Sequence, residues 1–279
     1  MTQKKTVQPQ ITHDHAGHAH VNCPGHAPCR LCRIEVDHLS VSAGNQQLLH
    51  DVNLHIHCGE LTALIGANGA GKTTLIRALL GQVEYKGVIR HLTTDGRPAA
   101  DVRTGYVPQQ LEFDRSSPVT VTDFMAASLS KRPVFLGVSQ KTREKVMAAL
   151  ARTHSERLCK RPLGALSGGE LQRTFLAQVF AQNPKLLILD EPANHLDLIY
   201  QKHIFSLIEA WLKQPGRAVI SVVHDLSLAK KYGTHAVLMD RGRCAAQGKT
   251  DEVMTRERLE AVYGMDVYGW MRDLLGQWS

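Results

Sequence analysis

The chain has 279 residues, of which 43% are hydrophobic, which is enough for one large domain or two small ones. Its net charge of +7 comes without a lysine- and arginine-rich run, which argues against nucleic acid as the main partner. No apolar stretch approaches the roughly 20 residues of a membrane span, and the start, MTQKKTVQPQITHDH, lacks the apolar segment of a signal peptide. We therefore expect a cytoplasmic protein with six reduced cysteines.

Residues 1–33 are polar and poor in large apolar side chains, which predicts a disordered tail. Histidines are frequent over residues 13–20, and a regularly spaced set follows, made up of Cys23, His26, Cys29 and Cys32. Three thiolates and one imidazole form a suitable tetrahedral set for Zn²⁺. The alternative is a disordered tail that binds metal without any function, because His/Cys tracts bind metal in either case.

From Ile34 onward the pattern becomes globular. Apolar residues alternate with polar ones as in strands, and Gly44-Asn45 is typical of a turn. The strand candidates are residues 34–41, 48–56, 88–92 and 102–107. Together they predict an antiparallel sheet that flanks a nucleotide-binding core.

Residues 61–81 predict a phosphate-binding loop. The apolar run 61–65 predicts a buried strand, and residues 75–80 predict a helix that ends at Gly81. Between them, Gly66, Gly71, Lys72 and Thr73 match the pattern G-x-x-x-x-G-K-[ST]. Glycines allow backbone N–H groups to surround phosphates, Lys72 can reach the β- and γ-phosphates, and the Thr73 hydroxyl can bind Mg²⁺. The sequence therefore predicts a nucleoside triphosphate site.

A helical stretch follows Gly105-Tyr106-Val107-Pro108-Gln109. Residues 119–129 and 141–150 have helical patterns, and Leu166-Ser167-Gly168-Gly169-Glu170 precedes another apolar-periodic run. A Ser-Gly-Gly turn before a helix places free backbone N–H groups at its N-terminus, which predicts a second anion site.

Two further strands end in polar residues. The apolar run 186–189 is typical of a buried parallel strand and leads to Asp190-Glu191. Asp190 suits Mg²⁺, and Glu191 suits a base that activates water. The run 218–223 ends at His224, which can donate a hydrogen bond to a γ-phosphate, although a lone histidine at a strand end is more often structural.

The ordered motifs GANGAGKTT, VPQ, LSGGE, LLILDEP, ANHLD and VVHD resemble those of the nucleotide-binding subunits of ABC transporters. The resemblance covers Ile34 to about Met254. It implies an α/β P-loop fold with an antiparallel β subdomain and a helical subdomain at about residues 109–182. It also implies ATP and Mg²⁺ as cofactors, a homodimer, a transmembrane permease as partner and, indirectly, a substrate-binding protein. The protein would lie at the cytoplasmic face of the cell membrane.

The resemblance also implies roles for individual residues. Glu191 would be the catalytic carboxylate and His224 the sensor of the γ-phosphate, while Gln109 would link Mg²⁺ to the permease. Thr73, Gln109 and Asp190 would bind Mg²⁺, and Asp197 would lie in a loop that crosses the dimer. The nucleotide-binding set as a whole is Gly66, Asn68, Gly69, Gly71, Lys72, Thr73, Thr74, Ser167, Gly168, Gly169, Asp190 and Asp197.

The chain departs from the family at the adenine site, where the usual aromatic residue is replaced by Ala43. Residues 111–121 resemble those of zinc and manganese importer ATPases, and the His/Cys tail favours zinc. Residues 262–267 also resemble a segment of siderophore and haem importers, which stay an alternative. From a different class, the chain could be a non-transport ABC ATPase, which usually has duplicated cassettes or long coiled coils. It could also be a metal-sensing module, which would leave the catalytic motifs unexplained.

Overall fold

The computed structural model describes residues 31–109, 116–130, 133–194 and 196–276, with the backbone alone for 274–276. Most of the predicted tail, including Cys23, His26 and Cys29, lies outside the described residues. Within them, no helix is long and apolar enough to cross a membrane.

Nine strands and nine α-helices make up the described fold. The strands are β1 Arg33–Ala43, β2 Gln46–His57, β3 Leu61–Gly66, β4 Lys86–Leu92, β5 Thr104–Val107, β6 Leu186–Asp190, β7 Ala218–Val222, β8 His235–Asp240 and β9 Arg243–Lys249. The helices are α1 Lys72–Leu79, α2 Val121–Leu129, α3 Gln140–Arg152, α4 Gly168–Ala181, α5 Leu198–Leu212, α6 Leu226–Tyr232, α7 Thr250–Val253, α8 Arg256–Tyr263 and α9 Val267–Gly276.

The core sheet has six strands in the order β5-β6-β7-β3-β8-β9. Its neighbouring strands run parallel except for the antiparallel pair of β8 and β9. Every residue of β3, β6 and β7 is buried, as expected for parallel strands that are covered on both faces. Because parallel strands share one carboxyl edge, Gly66 and Asp190 end their strands on the same side of the sheet.

Successive residues of each core strand point to opposite faces, and each face has its own hydrophobic core. Leu187 and Leu189 pack with α4, α5 and the C-terminal helices. Ile188 packs on the other face with α1 and with the smaller sheet. Burial of such apolar surface is the main driving force for the fold.

The smaller sheet is antiparallel, with the order β2-β1-β4, which confirms the predicted flanking sheet for three of its four candidate strands. The prediction for residues 102–107 was wrong. This segment forms β5, which pairs in parallel with β6 at the edge of the core sheet. An edge strand of the core sheet and a strand of the smaller sheet show the same alternation of apolar and polar residues. The pattern therefore predicted a strand but not the sheet to which it belongs.

Helices α2, α3 and α4 pack around a third core, within the stretch to which the sequence assigns the helical subdomain. Capping boxes begin α2 at Thr120 and α4 at Ser167. In each box the hydroxyl of the capping residue accepts a hydrogen bond from the backbone N–H three residues later. The carboxylate of that later residue accepts a hydrogen bond from the backbone N–H of the capping residue.

The globular part includes residues that the sequence assigned to the tail. Leu31 is fully buried among the residues between the two sheets, and Cys32 is 8% exposed. The backbone N–H of Cys32 donates to Leu92, and its carbonyl accepts from Cys58. The tail boundary at residue 33 was therefore too late, because the short apolar pair Leu31-Cys32 was overlooked beside the polar stretch that precedes it.

Gly105 allows β5 to approach α4 closely. A Cβ atom at this position would lie 2.4 Å from Val179 Cγ1 and 3.0 Å from Pro184 Cγ. We expect Gly105→Ala to destabilise the fold by about 1–3 kcal/mol through overpacking, measured as a lower midpoint of thermal unfolding.

The matched control is the same substitution in a Val179→Ala background, where the clashing methyl group is absent. There Gly105→Ala should lower the midpoint less, since contacting residues couple energetically. An equal loss in both backgrounds would contradict the packing explanation.

Candidate nucleotide-binding site

The phosphate loop joins β3 to α1. Its glycines Gly66, Gly69 and Gly71 all have positive φ angles, of 147°, 79° and 99°. At Gly66 no side chain fits, because a Cβ atom would lie 2.3 Å from the carbonyl oxygen of Met239. The loop also has a hydrogen bond to the turn between β8 and β9, where the Gly242 N–H donates to the Ala70 carbonyl. The backbone is thus held in a shape that only glycine supports.

Lys72 begins α1 and is 7% exposed. Its Nζ donates to the carbonyl oxygens of Gly66 and Ala67, at 2.7 and 2.9 Å. Burial lowers the pKa of Lys72, and the carboxylates of Glu191 and Asp190 oppose that shift. A cation held over the loop by two carbonyl groups can exchange them for a phosphate oxygen, since an anion is the stronger partner.

Asp190 and Glu191 lie at the carboxyl end of β6 and are 4% and 7% exposed. Burial raises the pKa of Asp190, and the neighbouring Glu191 carboxylate raises it further, while His224, Lys72 and Arg77 oppose the rise. Buried carboxylates of this kind gain from a divalent cation. Oxygen ligands such as the Asp190 carboxylate and the Thr73 hydroxyl are those that Mg²⁺ prefers, so the residues present fit this cofactor.

Glu191 is held by two polar neighbours. Its Oε1 lies 2.6 Å from His224 Nε2, and its Oε2 accepts a hydrogen bond from the Asn194 side chain. Glu191 also has a positive φ of 55°, uncommon outside glycine. This arrangement fixes the carboxylate at the sheet edge and joins β6 to the end of β7.

The other predicted phosphate-site residues lie at the loop surface. Thr73 is exposed at the start of α1, and Thr74 is partly buried. Asn68, Gly69 and Gln109 are exposed as well, the last of them just after β5. Their exposure leaves them accessible to a ligand that comes from the solvent side.

The second predicted anion site is at the N-terminus of α4. Ser167 caps this helix, and the Ser167 N–H lowers the pKa of Glu170 by donating to its carboxylate. Arg161 Nη1 also contacts both carboxylate oxygens of Glu170, at 3.1 Å each. A pocket of about 400 Å³ opens here, lined by Ser167, Gly168, Gly169, Glu170, Arg173, Leu196, Asp197 and Tyr200.

The structure therefore brings the predicted site residues together in two groups. Lys72, Asp190, Glu191 and His224 share electrostatic contacts at the sheet edge. Ser167 and Asp197 share the pocket at α4, and among its described lining residues none belongs to the phosphate loop. Within one chain, the two groups are separate.

The predicted zinc ligands are not tested as a set, because three of the four precede the described residues. Cys32, the fourth, is buried in the fold rather than placed in a tail. Among the described residues, no group of three or more His, Cys, Asp or Glu side chains is placed to hold a metal ion.

Sequence analysis gave no role to Asn194 or Arg77, which the structure places beside Glu191 and Asp190 respectively. Asn194 lies three residues after Glu191 in the turn that follows β6, and that spacing was an available signal.

At the expected adenine position, Ala43 pairs with Gln46 beside the hairpin turn and is exposed. It offers no ring for stacking.

Comparison with known proteins agrees with this geometry. Residues 49–194 match the family model described as ABC transporter. The zinc import ATP-binding protein ZnuC of Yersinia enterocolitica is 33% identical over 83% of this chain and 85% of the relative. The manganese transport system ATP-binding protein MntB of Listeria innocua is 32% identical over 83% of this chain and 96% of the relative.

A further relative, the uncharacterized ABC transporter ATP-binding protein YvrA of Bacillus subtilis, is 33% identical over 84% of this chain. The aligned region is 54% of YvrA, so the chain spans about half the length of that protein.

Solved structures show the same fold. One is cbiO1 from Clostridium perfringens, part of the ABC transporter complex cbiONQ, with 28% identity, a TM-score of 0.64 and coverage of 82% of this chain and 92% of that one. Another is the dimeric ATP-binding cassette MJ0796 bound to ADP and Pi, with 21% identity, a TM-score of 0.66 and coverage of 78% and 98%. The chain belongs to the ABC transporter family, as an ATP-binding subunit that hydrolyses ATP.

Proposed function

We propose that this ATPase subunit drives the import of a metal ion, with zinc as the ion, through a separate membrane permease. The observation that carries the ATPase assignment is the buried group of Lys72, Asp190 and Glu191 beside the phosphate loop, with the exposed His224 in contact with Glu191. Metal import is supported by the relatives named for zinc and manganese transport. The choice of zinc rests on the His/Cys pattern of the tail. Siderophore or haem import is the alternative, supported by residues 262–267.

In the proposed mechanism the phosphate loop binds the triphosphate through its backbone N–H groups and Lys72. Bound Mg²⁺ would neutralise charge on the phosphates, held by Thr73 and Asp190, with Gln109 completing the site. Glu191 orients the attacking water and accepts its proton, and its contact with His224 keeps the carboxylate in place. His224, exposed just after β7, would also donate a hydrogen bond to the γ-phosphate.

We further propose that the two groups of site residues are half-sites that meet in a head-to-tail homodimer. Ser167, Gly168 and Gly169 of one subunit would contact the γ-phosphate held by the phosphate loop of the other. Asp197, which caps α5 by accepting the Tyr200 N–H at 2.9 Å, would lie between the two sites. The support is the exposed N-terminus of α4, where backbone N–H groups and the helix dipole favour an anion. Leu198 and Ile199, 81% and 79% exposed beside Asp197, supply apolar surface for that contact.

A groove of about 640 Å³ is the proposed docking site for the permease. It lies between α3 and α4 on one side and α5 on the other, with Phe180 and Trp211 in its lining. Two exposed cations, Lys145 and Arg152, line its rim, whereas Arg217 is buried, with its Cζ 4.6 Å from the centroid of the Trp211 ring. An apolar floor with a basic rim suits a short helix that carries acidic residues. This contact would hold the subunit at the cytoplasmic face of the membrane, with a substrate-binding protein acting on the permease from the other side.

The central test of the mechanism is Glu191→Gln. The amide keeps the side chain's shape but cannot accept a proton, so we expect ATP binding to persist and turnover to fall by about a hundredfold or more. Steady-state ATPase rates measure the loss. Size-exclusion chromatography with Mg-ATP should show that the variant accumulates as a dimer.

Glu209→Gln is the matched control, because Glu209 is exposed on α5, away from the nucleotide site. It should hydrolyse ATP at the wild-type rate. A Glu191→Gln protein that keeps full turnover and stays monomeric with ATP would refute the role proposed for this carboxylate.

The tail is proposed to bind one Zn²⁺ through Cys23, His26, Cys29 and Cys32, with the histidines at 13–20 binding further metal more weakly. We expect Cys29→Ser/Cys32→Ser to lower zinc affinity at least about tenfold in competition with a chelator. Because Cys32 is buried, Cys29→Ser alone tests the tail without disturbing the core. Wild-type affinity in both variants would remove the tail as support for zinc.

A further inference from the structure

A residue of the C-terminal helices contacts the start of the phosphate loop. The backbone N–H of Gly66 donates to the hydroxyl oxygen of Tyr263, at 3.1 Å, across 197 positions of sequence. Gly66 is a buried residue, which limits the access of water to its N–H. Burial also raises the pKa of Tyr263, which keeps the hydroxyl neutral at physiological pH.

Gly66 is the residue at which β3 becomes the loop, and it is held from both sides. Tyr263 accepts its N–H, and Lys72 donates to its carbonyl oxygen at 2.7 Å. Its φ of 147° and the close Met239 carbonyl leave no room for another side chain. The hydroxyl of Tyr263 therefore completes the hydrogen bonding at the position from which the loop departs.

Tyr263 is presented by a well-anchored segment. It ends α8, whose Leu259 is 1% exposed, and α9 begins at Val267, which is 4% exposed. Both side chains belong to the core that also contains β3 and β6. Val267 and Met271 of α9 line a cavity of about 350 Å³ together with His224. The segment made of α8 and α9, residues 256–276, thus contacts the phosphate loop and lines a cavity beside His224.

We propose that Tyr263 is a positioning residue for the phosphate loop, and that through it the C-terminal segment 256–276 sets the affinity for nucleotide. The Tyr263 hydroxyl contacts the Gly66 backbone. It acts by holding the Gly66 peptide in the conformation that directs the following N–H groups toward phosphate.

Removal of the hydroxyl would leave a buried backbone N–H without a partner, which penalises the preformed loop. The loop would populate other conformations, and only a fraction of molecules would be competent to bind. Apparent affinity falls by that fraction, whereas the chemical step in the bound complex is unaffected. The inference depends on the ATPase activity, and wild-type hydrolysis measured in parallel separates a failure of one from a failure of the other.

The test compares Tyr263→Phe with Tyr268→Phe in the full chain. The Tyr268 hydroxyl donates to the Met254 carbonyl at 2.6 Å, a contact within the C-terminal region that does not involve the loop. We expect Tyr263→Phe to raise the KM for Mg-ATP about three- to tenfold with kcat within about twofold of wild type. Tyr268→Phe should leave the KM unchanged.

Amide hydrogen exchange covers the case in which Tyr263→Phe is too unstable for kinetics. Exchange of residues 66–71 without nucleotide should become faster in Tyr263→Phe and stay at the wild-type rate in Tyr268→Phe. An unchanged KM with unchanged exchange would overturn the proposal. So would equal effects of the two substitutions, since they would assign the result to general loosening of the C-terminal helices.

Discussion

The structure depends on the burial of a lysine and two carboxylates at one edge of the core sheet. Burial lowers the pKa of Lys72 and raises that of Asp190, while the attraction between the two opposes both shifts. Neither charge is stable there alone, because desolvation disfavours the charged form of each. The charge of Lys72 is partly compensated by its hydrogen bonds to two loop carbonyl groups. A triphosphate with Mg²⁺ supplies the anion for the lysine and the cation for the carboxylates, so the sheet edge favours this ligand.

The proposed second anion site, at the N-terminus of α4, is one whose described lining includes no residue of the phosphate loop. Ser167 and Asp197 both cap helices and line one pocket, and the phosphate loop is absent from the described lining of that pocket. Two copies arranged head to tail would place each half-site opposite the other. In this account the dimer contact is conditional on nucleotide, because the phosphates are an anion that both helix N-termini attract.

The sequence predicted the parts of the fold and site that short-range rules govern. The phosphate loop, the strand before Asp190 and the cap at Ser167 each follow from a few consecutive residues, and the structure has all three. Sheet membership could not be predicted so directly. Residues 102–107 alternate as an edge strand in either sheet. They form β5 of the core sheet, where Gly105 permits close packing on Val179. The contact of Tyr263 with Gly66 depends on the path of the whole chain, so no local pattern indicates it.

The most direct test of the central claim is a mixture of two inactive subunits, Lys72→Ala and Ser167→Arg. Each variant alone forms only defective sites, since every site needs the lysine of one copy and the serine of the other. In a mixed dimer one site carries both defects and the other carries none. The account predicts that ATP hydrolysis, absent from either variant alone, returns when the two are combined. If the mixture stays inactive although mixed dimers form, the site is not shared between copies in this way.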